Sequence, residues 1–367
     1  DLPEVVRAVV EALTAHGCRP FLFPAMGSHG GATAEGQRAL LGKIGIDAEA
    51  LGVTIESDMD TVSLGRTESG LDVRFDRHAH AADATLLINR VKPHTDFIGR
   101  IGSGLIKMAV IGCGKRQGAE MVHREAKTRG YESVLMKVGR FVLDKSNIVG
   151  GVALVEGFDH RVVRVEGLAA DTIVDREPAL LAEATRSMAR LPVEALDLLI
   201  VDEIGKDISG VCMDPNVIGR NVIRGDQEAW RRGPVRRIYA RSMTEAGYGN
   251  ALGVGLADFV SRGLLDAIDD EATLANALTS GNVELIRRPA VIGSDRETIH
   301  AAIGTARPVA PTDARILWIR NTLDLSPVYV SQSLAQECRA LQEYTLDDRA
   351  IELPFDKKGD LPGFDEV

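Results

Sequence analysis

The chain has 367 residues, 45% of them hydrophobic and 26% charged, which is typical of a soluble globular protein and excludes a collagen-like, disordered or coiled-coil chain. Its 53 Asp and Glu against 43 Lys and Arg give a net charge of -10, which argues against nonspecific binding to nucleic acid or to an anionic membrane. No run reaches the roughly 18 apolar residues that a membrane-spanning helix needs. Four scattered cysteines without a CxxC pair are typical of thiols in a reducing cytoplasm, where we expect the protein.

Helical and strand patterns alternate along the chain, starting with a helical repeat over 3–16 and a short strand over 21–26. Because the helical pattern begins without an initiator Met, we expect native residues upstream. Further strands are predicted over 84–91, 148–157, 162–167, 196–205, 235–241 and 315–321, and helices over 116–129, 132–144, 178–190 and 331–342. This alternation predicts an α/β protein of two α/β domains, with mostly parallel sheets and the active site in the inter-domain cleft.

A helix that ends before Pro192 and a strand that begins at Leu196 place the domain boundary between them. We therefore predict an N-terminal domain over 1–192 and a C-terminal α/β domain over 193–353. The remaining tail, 354–367, is rich in Pro, Gly and Asp, and we expect it to pack back on the N-terminal domain.

The loop MGSHGGAT (26–33) directly follows the first predicted strand, and its glycines allow a tight turn there. The turn presents His29 and free backbone N–H groups to one place, just before a helix that begins near Thr33. This arrangement favours an anion site that carries a titratable imidazole. A turn whose histidine merely faces solvent is the alternative.

The segment 89–123 carries the most informative pattern. His94 follows the strand predicted over 84–91, and Lys107 is the only polar side chain in LIKMAVIG (105–112). Apolar surroundings lower the pKa of a lysine and favour the neutral, nucleophilic amine that covalent attachment requires. His123, in a helical pattern, could reach back as a metal ligand. Taken singly, each has a structural alternative: Lys107 would extend to solvent from a strand end, and His123 would cap a helix.

Four other patterns favour structural roles. GCGKRQG (112–118) lacks the Ser or Thr of a phosphate loop, and GYGNALGVG (247–255) does not directly follow a clear strand. The Arg-rich run 230–241 is isolated in an acidic chain, which favours a strand edge or subunit contact over RNA binding. His78 and His80 have the spacing of one strand face, but without a further ligand nearby an exposed pair is favoured over zinc.

The motifs MGSHGGAT, VKPHTDF, SGLIKMAVIG and EMVH, in this order, resemble the nickel-dependent lactate racemase family. The resemblance implies a nickel-pincer nucleotide, a pyridinium mononucleotide that is thioacylated onto a lysine and binds nickel through sulfur, carbon and sulfur. It implies that His29 and His94 are the catalytic residues and that His123 binds nickel. It implies that the N-terminal domain binds the cofactor through Lys107, Ser103, Gly104 and Gly112.

The segment CMDPNVIGR (212–220) resembles the D-x-N segment of the same family, which implies that Asp214 and Asn216 face the domain cleft. Where the family has Gln and Lys after this motif, the chain has Gly219 and Arg220. The family's stretch with a phosphate- or substrate-contacting Arg would lie among the native residues that we expect upstream. These departures predict a substrate other than lactate, its carboxylate held by Lys92 and Arg220.

Our first hypothesis is a cytoplasmic racemase or epimerase of a 2-hydroxy acid, an isomerase of the EC 5.1.2 type. By resemblance, hydride passes reversibly from C2 to the lysine-linked cofactor while two histidines exchange the hydroxyl proton. The partners we expect are a small anionic hydroxy acid and the enzymes that build the cofactor, with no nucleic acid and no membrane. The alternatives are a zinc hydrolase that uses His94 and His123, and a noncatalytic cofactor-binding protein.

Overall fold

The computed structural model describes residues 2–223, 235–342, 344–347 and 349–367. Contacts within the chain divide it into two compact units, Asp1–Met188 and Ala189–Val367. Both units combine helices with a sheet that contains parallel strands, so the predicted α/β class is confirmed. No helix in the described part of the chain is both long and apolar enough to cross a membrane. The predicted Arg-rich run falls partly outside the described residues, which resume at Val235.

The first unit contains five strands in two sheets. The strands are β1 (Thr61–Arg66), β2 (Asp72–Asp76), β3 (Thr85–Arg90), β4 (Ile148–Glu156) and β5 (Val162–Ala169). β1 and β2 form an antiparallel pair, while β4 lies between β3, to which it is parallel, and β5, to which it is antiparallel. The strands predicted at β3, β4 and β5 are therefore confirmed.

The helices of the first unit share its core with the strands. They are α1 (Leu2–Ala15), α2 (Ala34–Lys43), α3 (Ala48–Leu51), α4 (Arg77–Ala81), α5 (Leu105–Lys107), α6 (Lys115–Arg129), α7 (Tyr131–Lys145) and α8 (Ile173–Ser187). A π-helical turn, Met108–Gly112, continues α5. Leu105 and Ile106 are fully buried because the apolar run 105–112 packs among α7, α8 and the sheet.

One local prediction in this unit was wrong, and one spacing argument does not apply. No strand forms over 21–26, where Leu22 makes only a single parallel bridge with Ile55, since Pro24 has no N–H to donate to a ladder. The pair His78 and His80 lies in α4 rather than in a strand, because the Asp76 side chain accepts the N–H of Ala79 and caps a helix.

The second unit is built on one five-stranded sheet in the order β10-β9-β6-β7-β8. Its strands are β6 (Leu196–Ile204), β7 (Val235–Met243), β8 (Phe259–Val260), β9 (Ile316–Ile319) and β10 (Val328–Val330), and only β10 pairs antiparallel. Its helices are α9 (Pro215–Ile218), α10 (Arg262–Asp266), α11 (Asp270–Ser280), α12 (Asp295–Ala306) and α13 (Gln332–Arg339). β6 is buried along most of its length, as expected for a strand with parallel neighbours on both sides.

The C-terminal tail packs on the second unit, whereas the sequence analysis expects it on the first. Phe364 and Leu361 are buried in a cluster with Trp318, and Phe364 meets the Trp318 ring edge-on. Arg241 fixes the backbone there, donating from its guanidinium to the carbonyl oxygens of Leu361 and Pro362. Apolar side chains and a buried arginine thus hold a segment whose composition predicts only a loop.

Candidate active site

The loop that carries His94 is closed by two backbone hydrogen bonds. Lys92 and Ser103 exchange both of their N–H···O bonds, each 2.8 Å long, so the chain between them leaves β3 and returns at the start of α5. Asn89, near the end of β3, donates its side-chain amide to the carbonyl of Gly104 at 2.9 Å. These bonds fix the position of α5, and of Lys107 within it, relative to His94.

His94 and Lys107 meet directly, with Nε2 of the histidine 2.8 Å from Nζ of the lysine. The backbone N–H of Asp96 donates to Nδ1 of the same imidazole at 3.0 Å, so both ring nitrogens have partners. The ring also stacks on Phe97, with a centroid separation of 4.6 Å. His94 is therefore held in one orientation by its own loop and presents one nitrogen to Lys107.

Burial and charge favour the neutral forms of both groups. Desolvation lowers the pKa of Lys107 to about 8; the positive charge of Lys92 adds to this shift, and Asp96 opposes it. Desolvation, followed by the positive charges of Lys107, His123 and Lys92, holds the pKa of His94 well below its ordinary range. Near neutral pH this imidazole is unprotonated and suited to act as a base.

His123 reaches the same region from α6 and is oriented by Tyr131, the first residue of α7. Nδ1 of His123 lies 2.9 Å from the Tyr131 hydroxyl, and the Tyr131 ring stacks on Phe97 at 5.1 Å. Burial raises the pKa of Tyr131 to about 12, so its hydroxyl stays protonated at neutral pH. Desolvation also lowers the pKa of His123. With Nδ1 engaged by the tyrosine, Nε2 is the nitrogen that His123 can offer to a metal.

His29 lies in a glycine-rich turn that docks on the end of the Lys107 segment. Its side chain is exposed, and the buried Gln37 side chain donates to the carbonyls of Gly27 and His29 at 2.9 and 3.2 Å. The N–H of Gly27 donates to the carbonyl of Gly112, at the end of the π-helical turn, at 3.3 Å. A Cβ on Gly112 would lie 2.6 Å from the carbonyl oxygen of Ala25, so this approach requires glycine.

A buried ion pair reinforces this docking. Lys115 and Asp76 are both fully buried, with Nζ 2.9 Å from the carboxylate, and Nζ also donates to the carbonyl of Pro24 at 2.7 Å. The bond to Pro24 ties the chain just before the His29 turn to the start of α6. Lys115, the lysine of the GCGKRQG pattern, therefore has a structural role, because it binds both a buried carboxylate and a backbone carbonyl.

Residues 2–132 match the family model described as the lactate racemase N-terminal domain. The resemblance inferred from the motifs is thereby confirmed, and the match supports a racemase in broad terms. The matched residues include His29, His94, Lys107 and His123.

Other comparisons add less. The chain is similar to the solved structure of the lactate racemase apoprotein from Thermoanaerobacterium thermosaccharolyticum, with 12% sequence identity and a TM-score of 0.46. The similarity covers 78% of this chain and 74% of that one. No curated protein matches.

The glycines beside Lys107 are explained by packing within the protein. A Cβ on Gly104 would lie 2.6 Å from a carboxylate oxygen of Glu177, and one on Gly102 would lie 2.5 Å from the carbonyl of Lys92. Glu177 is fully buried and accepts the N–H of Ile106, at the start of α5, at 2.9 Å. Contact of Ser103, Gly104 and Gly112 with a cofactor stays a prediction.

Three residues predicted at the substrate lie in the second unit, outside the residues that match the family model. Asp214 caps α9, accepting the backbone N–H of Asn216 at 2.8 Å and its side-chain amide at 3.0 Å. Arg220 pairs with Asp258 at 2.6 Å and donates to the carbonyls of Leu256, Val235 and Arg236. Because these acceptors already engage its guanidinium, we do not carry Arg220 forward as a carboxylate ligand. Lys92, by contrast, is exposed beside His94.

Sequence reasoning missed Tyr131, Phe97 and Asp96, which orient His94 and His123. An aromatic residue three positions after His94 and another after Gly130 were the available signals. Neither identifies a partner, because contact between Tyr131 and His123 depends on how α7 folds back on α6. It also missed Glu177, 71 positions from the N–H that it accepts.

Proposed function

We propose that the protein is a 2-hydroxyacid racemase or epimerase whose nickel-pincer nucleotide is attached to Lys107. The observation that carries the proposal is the 2.8 Å contact between Nζ of Lys107 and Nε2 of His94. A lysine with a lowered pKa meets an unprotonated imidazole there, within a segment that matches the lactate racemase N-terminal domain. Attachment and proton transfer are the two tasks that this pair suits.

The residues present fit such a cofactor. Lys107 offers a primary amine to an acyl group, and His123 offers a single imidazole nitrogen. Among the residues that the structure describes, no group of three or more His, Cys, Asp or Glu could hold a metal by itself. A nickel ion bound there would therefore take most of its donors from the nucleotide, as a pincer provides. When bound, the cofactor would accept the hydride of C2 and return it.

The chain's own residues would bind the substrate and exchange its proton. His94 would take the hydroxyl proton as hydride leaves C2, because its lowered pKa keeps it neutral near pH 7. His29 would serve as the opposite acid or base from its glycine-rich turn. Lys92, exposed beside the His94 loop, would attract the substrate carboxylate. We propose Asp214 and Asn216 as further substrate residues.

Isotope retention tests this mechanism. The protein would be co-expressed with the cofactor-building enzymes and given C2-deuterated 2-hydroxy acids, from lactate to longer side chains. If hydride moves between C2 and the cofactor, the product keeps its deuterium and the rate shows a primary isotope effect. We expect His94→Gln and His29→Gln each to lower activity about 10²–10⁴-fold, the usual contribution of one general acid or base.

The same experiment separates the alternatives. Washout of deuterium into solvent, or near-normal activity in both variants, would refute the mechanism. Peptide mass spectrometry should find the adduct on Lys107 and lose it in Lys107→Ala. A protein that carries the adduct but turns over no hydroxy acid would be the noncatalytic cofactor-binding protein. Hydrolase activity that depends on zinc and on His94 and His123, without an adduct, would indicate the zinc enzyme.

A further inference from the structure

The strand β5 lies at the edge of its sheet and directs backbone groups away from it. In the part of the chain that the structure describes, β5 pairs with β4 alone. Ala170 donates its N–H to the carbonyl of Val149 at 3.1 Å, and the residues of an antiparallel strand bond to a given neighbour alternately. Glu166 therefore bonds to β4, whereas Val165 and Gly167 direct their N–H and C=O groups outward. Strand edges of this kind can pair with another chain.

The same edge exposes apolar side chains. Val163 is 56% exposed and Val165 is 51% exposed. Both are β-branched, and such side chains are normally covered by a neighbouring strand on the same face of a sheet. Val163 has no partner on β4 because the register shifts there in a β-bulge, so the regular part of the edge runs from Arg164 to Ala169.

On its other face β5 carries one charge of each sign. Arg164 and Glu166 are two positions apart, which places both on the face that meets α8. There Arg164 pairs with Glu183 at 2.9 Å and Glu166 pairs with Arg176 at 2.5 Å. The two side chains on β5 nevertheless stay 42% and 22% exposed, because α8 packs more on β4 than on β5. Both charges can therefore interact with a strand added at the edge.

We propose that β5 pairs antiparallel with β5 of a second copy of this chain, which joins two three-stranded sheets into one sheet of six strands. The pairing is centred on Val165, whose outward N–H and C=O groups bond to those of its own copy. A two-fold axis at this position places Arg164 opposite Glu166 of the partner subunit, and it does so twice in the dimer.

The charges select this register. Arg164 and Glu166 bond to β4, so between the two copies they form a pair without backbone hydrogen bonds, in which opposite side chains lie closest. If the centre moved by one residue, Arg164 would face its own copy, or Glu166 would face its own copy. Because the order of charges is self-complementary only about Val165, it favours a second copy of this chain over an unrelated extended peptide.

Charge reversal tests both the partner and the register. Arg164→Glu and Glu166→Arg would be made separately in the full-length chain and checked for folding by circular dichroism. Sedimentation velocity at concentrations up to about 1 mM, which also measures weak association, gives the dissociation constant of the dimer. Each variant alone places like charges opposite each other twice, so we expect its dissociation constant to rise about tenfold or more. An equimolar mixture of the two variants restores opposite charges at both places and should dimerise like the wild type.

A substitution at the centre provides a second measurement. Val165→Lys would place two ammonium groups beside the axis and should prevent association, as lysines do on natural edge strands. Val149→Lys is the matched control, because Val149 is an exposed valine on β4, which has a strand on each side. It should leave association unchanged. In the wild type, hydrogen exchange of a peptide over 162–169 should slow as the protein concentration rises.

A wild type that is monomeric at every concentration would overturn the proposal, as would a dimer that Val165→Lys leaves unchanged. A dimer that both charge variants weaken, but that their mixture does not restore, would overturn the register. The result is independent of the proposed function, because no cofactor or substrate takes part.

Discussion

Tyr131 is the residue that fixes which nitrogen of His123 is available to a metal. A ligating Nε2 leaves the ring proton on Nδ1, which would donate to the Tyr131 oxygen 2.9 Å away. Removing such a partner typically lowers metal affinity about 10–100-fold. If the protein binds nickel through the proposed cofactor, we expect Tyr131→Phe to reduce nickel binding by about that factor, while its ring still stacks on Phe97. Nickel content after dialysis against graded chelator measures the change.

A matched control is Tyr329→Phe, which removes a hydroxyl from a tyrosine that packs on Trp318 in the second unit. It should leave nickel content unchanged. If Tyr131→Phe also retains full nickel affinity, the orientation of His123 does not depend on this hydroxyl.

At the scale of single residues, only part of the candidate site could be predicted from the sequence. The apolar run around Lys107 correctly indicates a lowered lysine pKa, because eight consecutive residues determine that environment. The contact of this lysine with His94 could not be predicted, since it depends on the bridge between Lys92 and Ser103. The position of Tyr131 depends on the packing of two helices, which no local pattern encodes.

At the scale of elements, the contact between the His29 turn and the Lys107 segment depends on Gly112. A methyl group there would lie 2.6 Å from the backbone oxygen of Ala25, so the two segments must separate. We expect Gly112→Ala to lower the free energy of unfolding by about 1–3 kcal/mol, the usual cost of overpacking. Urea denaturation followed by circular dichroism measures the loss.

Gly42→Ala is the comparison, because Gly42 lies within α2 and a Cβ there meets no atom within 4 Å. It should leave stability unchanged or raise it by about 0.4–1 kcal/mol. Equal stability of the two variants would show that the turn can dock without the close approach at Gly112.

Most strands and helices could be predicted from the spacing of apolar residues. The reason is that a buried strand such as β6, or an amphipathic helix such as α7, has a pattern of apolar and polar residues that matches its burial. The exceptions are short. The segment 21–26 has the composition of a strand, but Pro24 interrupts the ladder and its carbonyl bonds to Lys115 instead. The conformation of such segments depends on contacts with residues that are distant in the sequence.

For the whole molecule, the lowered pKa of Lys107 links stability to pH. The pKa of this lysine is about 8 in the folded chain and returns to its ordinary value of 10.5 on unfolding. Between these values the unfolded chain binds a proton that the folded chain does not, so the free energy of unfolding rises with pH. We expect the wild type to gain stability relative to Lys107→Met from about pH 8 to pH 10.5.

Below about pH 8 the difference between the two proteins should stay constant, because both states of the wild type then hold the proton. Urea denaturation of the unloaded proteins across this range provides the values, and Lys137→Met, at an exposed position on α7, is the control. A difference that is flat from pH 8 to 10.5 would contradict a lowered pKa in the folded chain.

The bridge between Lys92 and Ser103 has a consequence for protein engineering. The loop is closed there entirely by main-chain atoms, so a library that randomises these two side chains, proline excluded, leaves the two closing bonds intact. Position 92 is exposed beside His94, so if the proposed function holds, it is a place to select new substrate preferences without redesigning the histidine's support. Selection at Phe97 or Tyr131 would instead alter the aromatic stack. Variants there would change the orientation of His94 together with any change in specificity.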